Sequence, residues 1–162
     1  MNQTAKIKIA DVHEFMVRHL ADVFDTMLSM KAVPAAPAGT PTFGERVSGS
    51  VGFAGETVTG AVYLHLSAPF SNQVAAAMLG MTPEEITGEA EVNDVVGEVT
   101  NMLAGGLKSW LCDAGAECAV STPAIIRGNA FAIESMADVM RDLLVFDSGN
   151  NRFVVEVHIK LN

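Results

Sequence analysis

The sequence predicts an α+β fold of mixed layers, a central and mostly antiparallel sheet with two long helices packed on it. Apolar residues recur at every third and fourth position over residues 9–31 and again over 91–114, which marks helices that bury one face. The period shortens to two over residues 57–67 and on both sides of Asp147-Ser148-Gly149-Asn150-Asn151, which marks strands and a hairpin. Helix, connector and strand pair occur once in each half, so the halves read as pseudo-duplicated, and 162 residues suit a single domain spanning 1–162.

In the first helix Val12, Phe15, Met16, His19, Leu20, Val23, Phe24, Met27 and Leu28 fall along one face. Residues 33–41 carry Pro34, Pro37 and Pro41, which forbid a helix and read as a stiff connector. Strands follow over 46–53 and 57–67. In the second, Val58, Val62, Leu64 and Leu66 alternate with Thr57, Thr59, Tyr63 and His65. Pro69 opens a short helix that Gly80 closes, and Thr82-Pro83-Glu84-Glu85 fits a capping box with proline at the first helical position. The long helix runs over 91–114 to Gly115. An extended stretch over 121–127, an alternating segment over 129–135 and hairpin strands over 143–146 and 153–161 complete the chain.

The net charge is −9, and the ten basic residues are scattered, which excludes wrapping of nucleic acid. No stretch approaches the roughly 20 apolar residues of a membrane span, and the N-terminus lacks the apolar core of a signal peptide. Cys112 and Cys118 have neither CxxC spacing nor nearby histidines for a zinc set, and they read as small core residues. A cytoplasmic protein is expected. His19 reads as a hydrogen-bonded core histidine, whereas His65 and His158 are expected at an exposed sheet surface. The sequence offers no CxxxxxR loop, no Ser-His-Asp set and no Walker-type glycine loop.

At roughly 100° per residue, Asp94, Glu98, Asn101 and Gly105 lie within about 60° of one another on the long helix. Val95, Val96, Val99, Met102, Leu103, Leu107, Trp110 and Leu111 take the broad opposite side. Geometry alone makes the stripe the solvated face of an amphipathic helix. Gly97 and Gly105 each cost about 1 kcal/mol against alanine in a helix interior, and side chains missing there let another protein approach the backbone.

The run Asp94-Val-Val-Gly97-Glu98-Val-Thr-Asn101-Met102-Leu-Ala-Gly105-Gly-Leu-Lys108 resembles the DxxxExxN signature of the CheC, CheX and FliY phosphatases of bacterial chemotaxis. Ser121-Thr-Pro123-Ala-Ile-Ile-Arg-Gly128 resembles the segment that follows this helix in CheX, and the order of elements matches across nearly the whole chain. CheC-type members often carry two copies of the motif. Laying residues 23–28 over 98–103 puts Val23 and Thr26 where the second helix has Glu98 and Asn101, so only one copy is present here, which favours CheX.

The resemblance implies a phosphatase whose substrate is a phosphorylated CheY-type response regulator. That partner carries its acyl phosphate beside its own Mg²⁺, so this chain needs no cofactor or metal of its own. Asn101 is a neutral amide, both donor and acceptor, suited to hold a water in line with phosphorus without repelling the phosphoryl oxygens. Glu98 is expected to anchor the complex on a receiver lysine, with Asp94, Gly97 and Gly105 as supporting partner contacts. The alternative is a non-catalytic receiver-binding or adaptor module using the same stripe. The resemblance also implies a homodimer, for which the terminal hairpin offers edge strands.

Overall fold

Local signals set the helix limits. Helix α1 spans Ile9–Leu28 and buries Val12, Met16, Leu20, Val23, Phe24 and Leu28. It stops short of Lys31 because Ser29 turns left-handed (φ 51°), its N–H bonding to Asp25 O while that of Met30 reaches Phe24 O. Met27, expected on the buried face, is 42% exposed. Helix α2 spans Ala68–Leu79; the Ser67 hydroxyl accepts the Phe70 N–H at its start, and Gly80 at φ 68° closes it. The capping box holds only one 3-10 turn, Pro83–Glu85, in which the Thr82 N–H donates to Glu85 Oε1 at 3.3 Å. Helix α3 then runs 25 residues, Glu89–Asp113, with Glu89 and Glu91 in its first turn facing the positive end of the helix dipole. The computed structural model describes residues 7–35, 41–129 and 131–162; residues 36–40 of the expected connector and residue 130 of the alternating segment lie outside these.

Among the described residues seven strands form one antiparallel sheet: β1 (Val33–Pro34), β2 (Arg46–Ala54), β3 (Val58–Ser67), β4 (Ala119–Val120), β5 (Ala124–Gly128), β6 (Met140–Ser148) and β7 (Asn151–Leu161). Their order is β1-β6-β7-β3-β2-β4, with β5 also on β2. Each half contributes a hairpin, β2–β3 or β6–β7, and the short strand following each half's first helix crosses to the other half's hairpin. The two-residue turn Gly149-Asn150 has Gly149 at φ 58°, a backbone that side chains resist.

The terminal hairpin does not supply two edges, because β7 lies between β6 and β3 and only β6 reaches toward the rim, where β1 covers Phe146 and Asp147. Nor is the alternating segment a strand at its described positions. Gly128 pairs with Arg46, the first residue of β2, so the chain beyond it has no ladder left to join.

One face of the sheet, with Val47, Val51, Val62, Leu64, Leu144, Phe153, Val155 and Val157, packs against all three helices. Helix α3 seats most closely at Gly49, where a Cβ would come within 2.0 Å of Thr100 Oγ1. Thr100 is fully buried and its hydroxyl donates back to Val96 O at 2.7 Å, so the contact leaves no polar atom unpaired. No helix among the described residues is long and apolar enough to cross a membrane.

The opposite face corrects the expected exposure of His65 and His158, which are 1% and 6% exposed. His65 Nε2–H donates to Glu156 Oε1 at 3.1 Å, and its Nδ1 takes the Ser48 hydroxyl at 2.6 Å. His158 and Arg141 both donate to Glu156 Oε2, at 3.0 and 3.1 Å. Burial pushes the Glu156 carboxyl upward, but the hydrogen bonds from His65 and His158 and the positive charge around it, Arg141 included, outweigh that and hold it at about 2.

Because the folded value lies below the ordinary 4.5, Glu156 contributes its full stability above about pH 4.5 and loses it as pH falls toward 2. Urea unfolding across that range should show an acid loss on the order of 3 kcal/mol that Glu156→Gln removes while lowering stability at neutral pH. An unchanged acid profile in the variant would sink this assignment. Gly49→Ala should lower the thermal midpoint, with a cost of about 1–3 kcal/mol from overpacking against Thr100. An unshifted midpoint would mean that α3 does not seat there.

Candidate functional site

The 25-residue length of α3 gives it a buried side and a free one. Val92, Val95, Val96, Val99, Leu103, Leu107 and Leu111 face the core. Asp94 and Glu98 are exposed and Asn101 is half-buried on the opposite side, one turn apart in succession. Among the described residues, none of these three side chains makes a hydrogen bond or an ion pair within the chain. That sets them apart from Glu156, whose carboxylate is fully engaged. A row of unpaired polar groups on a rigid helix is free to bond to something else. Gly105 continues the row and is open, since a Cβ there would meet nothing within 4 Å. Lys108 follows one turn later, half-buried.

Gly97 does not share this surface. It is buried, and a Cβ on it would lie 3.4 Å from Pro123 Cβ and 3.8 Å from Ile125 Cδ1. The expectation that its smallness admits a partner is therefore corrected: the space is taken by this chain's own strand edge. The cause is a bulge. Val120 pairs with Phe53 and Ala124 with Ser50, so Ser121, Thr122 and Pro123 oppose only Val51 and Gly52. Ser121 replaces the lost ladder, its N–H donating to Gly52 O at 2.8 Å and its hydroxyl accepting the Gly52 N–H at 2.9 Å. The extra residue throws exposed Pro123 against α3 at Gly97, the residue before Glu98.

Two contacts that sequence reading missed hold the flanks of the stripe. Arg127 on β5 donates its Nε–H to Asn93 Oδ1 at 2.9 Å and lies 3.7 Å from Glu89, which ties the start of α3 to the sheet edge. His19 on α1 donates its Nε2–H to Met102 O at 3.0 Å. The expected hydrogen-bonded histidine is thus present, and its partner is the helix that carries the stripe. In the first helix, Val23 is buried and Thr26 returns its hydroxyl to Asp22 O, so those positions offer no second polar pair.

The structure also assembles what the sequence did not disclose, a Ser-His-acid line of Ser48, His65 and Glu156. Ser48 is 0% exposed, so no substrate reaches its hydroxyl, and the line serves to join β2, β3 and β7. Its signal in the sequence was only the alternation of the strands; 91 residues separate His65 from Glu156. Among the described residues no group of three or more His, Cys, Asp or Glu side chains is placed to hold a metal ion. Cys112 and Cys118 are half-buried, and burial together with the neighbouring Cys112 thiol raises the Cys118 thiol above its ordinary value.

The fold is similar to that of chemotaxis protein CheX from Vibrio vulnificus, with a TM-score of 0.79 and 25% identity over 96% of this chain and 100% of that one. A CheC-like superfamily protein from Shewanella sp. PV-4 gives 0.78 and 28% identity over 95% and 99% of the two chains. The CheX-CheY-BeF3-Mg+2 complex from Borrelia burgdorferi gives 0.72 and 22% identity over 91% and 97%, a likeness of fold alone. No curated protein sequence matches the chain. The family model for the chemotaxis phosphatase CheX matches residues 47–156, more than half of the chain and all of the stripe, and the protein belongs to the CheX family.

Proposed function

We propose that this chain is an aspartyl-phosphate phosphatase, which lays α3 against a phosphorylated CheY-type response regulator and hydrolyses its acyl phosphate. The observation that carries this reading is the pairing of Glu98 and Asn101 on one outward face of α3, with no bond from either side chain to any of the described residues. Membership of the CheX family supports the class of reaction. The Borrelia burgdorferi structure, in which CheX and CheY occur together, supports the class of partner.

The receiver already holds the electrophile and, in this reading, its own Mg²⁺, so this chain supplies position only. Asn101 takes a water through its amide oxygen and directs it along the axis opposite the P–O bond that breaks. Its neutral amide brings no like charge to the phosphoryl oxygens, as a carboxylate would. The aspartate carboxylate leaves with the bonding electrons, and inorganic phosphate forms. Glu98, one turn earlier and exposed, anchors the complex on a receiver lysine. Asp94 and Gly105 border the contact, Gly105 by leaving the helix backbone open. The reaction takes place in the cytoplasm, and a homodimer joined at a free sheet rim presents two such faces.

With purified protein and a phosphorylated receiver, Asn101→Ala should slow phosphate release by roughly 10²-fold or more while the dissociation constant stays within about threefold. Glu98→Ala should weaken binding about tenfold and slow release with it. Full activity in Asn101→Ala would contradict the assignment. Binding without any acceleration by the native chain would instead favour a docking module on the same helix.

A further inference from the structure

Helix α3 carries Gly97, Gly105 and Gly106, each about 1 kcal/mol poorer than alanine at holding a helix, and two of them lie just past Asn101. The backbone that aims Asn101 therefore takes its stiffness from neighbours. On the sheet side Thr100 fills the notch left by Gly49. On the other side His19 of α1 lies on the bare backbone of Gly106, where a Cβ would come within 2.0 Å of Nε2. From that position Nε2–H donates to the carbonyl of Met102, the residue after Asn101, at 3.0 Å. A helix carbonyl has two lone pairs, so Met102 O accepts from His19 in addition to its place in the helix ladder. The imidazole is itself held: it stacks on Phe15 at 5.3 Å, and Phe15 stacks on Trp110 of α3 at 6.0 Å.

We propose that His19 is a positioning residue for hydrolysis: by grasping the Met102 carbonyl over Gly106, it fixes the rotation of α3 about its own axis and so the aim of the Asn101 amide. This rests on the phosphatase reading above. His19 is half-buried on α1, away from the row Asp94, Glu98 and Asn101, and touches no substrate. A side-chain tip about 6 Å from a helix axis moves about 1 Å for each 10° of rotation, and a misplacement of about 1 Å costs on the order of 10²-fold in rate. Docking through Glu98, a long and flexible side chain, tolerates such a shift far better than in-line attack does. The signature is a loss in kcat with little change in KM.

The experiment compares His19→Gln, His19→Asn and His19→Leu in phosphate release from a phosphorylated receiver, with thermal unfolding of each. Glutamine carries an N–H to about the position of Nε2, asparagine stops short of it, and leucine has none. Asparagine and leucine should lower kcat about 10–100-fold with KM within about twofold, and glutamine should recover to within about fivefold of the native rate. Unaltered kcat in the leucine and asparagine variants, or a glutamine variant no better than asparagine at similar thermal stability, overturns the positioning role. If leucine does not fold, the glutamine–asparagine comparison decides alone. A native chain that accelerates nothing overturns the phosphatase reading and this one together, whereas an active native chain, a dead Asn101→Ala and an unaffected His19 series overturn this one only.

Discussion

Helix α3 meets the sheet where the hydroxyl of Thr100 sits in the space that a side chain on Gly49 would fill, and its proton is satisfied within the helix by Val96 O. That seating brings the valine and leucine face of α3 onto β2 and β3 and leaves the Asp94–Glu98–Asn101 side outward. Most of the other contacts that shape the surface act on a helix already fixed in this way. Pro123 fits against Gly97 from one flank, Arg127 holds Asn93 near the start, and His19 lies over Gly106 further along. Glycine stands at several of the close approaches to α3, Gly49 on the sheet and Gly97 and Gly106 on the helix, whereas a Cβ at Gly105 would meet nothing within 4 Å.

The molecule sorts its polar groups sharply. On the sheet face away from the helices, His65, His158 and Arg141 converge on Glu156 while Ser48 bonds to His65, and each bond to Glu156 lowers the cost of burying a carboxylate. On α3 the side chains of Asp94, Glu98 and Asn101 bond to nothing among the described residues. Buried networks of the first kind give strands a fixed register, and unpaired rows of the second kind keep their hydrogen-bonding capacity for a partner. A Ser-His-acid line would suggest a hydrolase by its membership alone, yet the complete burial of Ser48 assigns it to the frame. Exposure, not residue type, separates the two sites.

What could be read from the sequence depended on range. The periodicity of α1 and α3, the stop at Gly80, the Gly149 turn and the alignment of Asp94, Glu98 and Asn101 arise within a few residues of each other, and all are present in the structure. The sheet order is set by pairings across the chain, so the interior position of β7 was invisible. His65 and His158 fall on the non-core phase of their strands, and period-two alternation cannot say that this phase is also covered. Gly97 sits at the margin of the stripe, near the angle where outward becomes inward. Only the one-residue bulge at Ser121–Pro123, a feature of pairing rather than of local pattern, decides which it is. His19 was legible as a bonded histidine but not as a contact to the helix that bears the site.

In the proposed mechanism Asn101 holds water beside an anionic group, which requires its shape and its neutrality together. Asn101→Asp preserves the shape and adds the charge, so it separates these requirements better than truncation does. Phosphate release from a phosphorylated receiver, measured under single-turnover conditions for the native chain and this variant, tests the claim most directly. Asn101→Asp should lose the rate about as fully as truncation, roughly 10²-fold, while thermal stability stays unchanged. Native-like release by Asn101→Asp would contradict it, because a carboxylate would then do what only a neutral amide is argued to do.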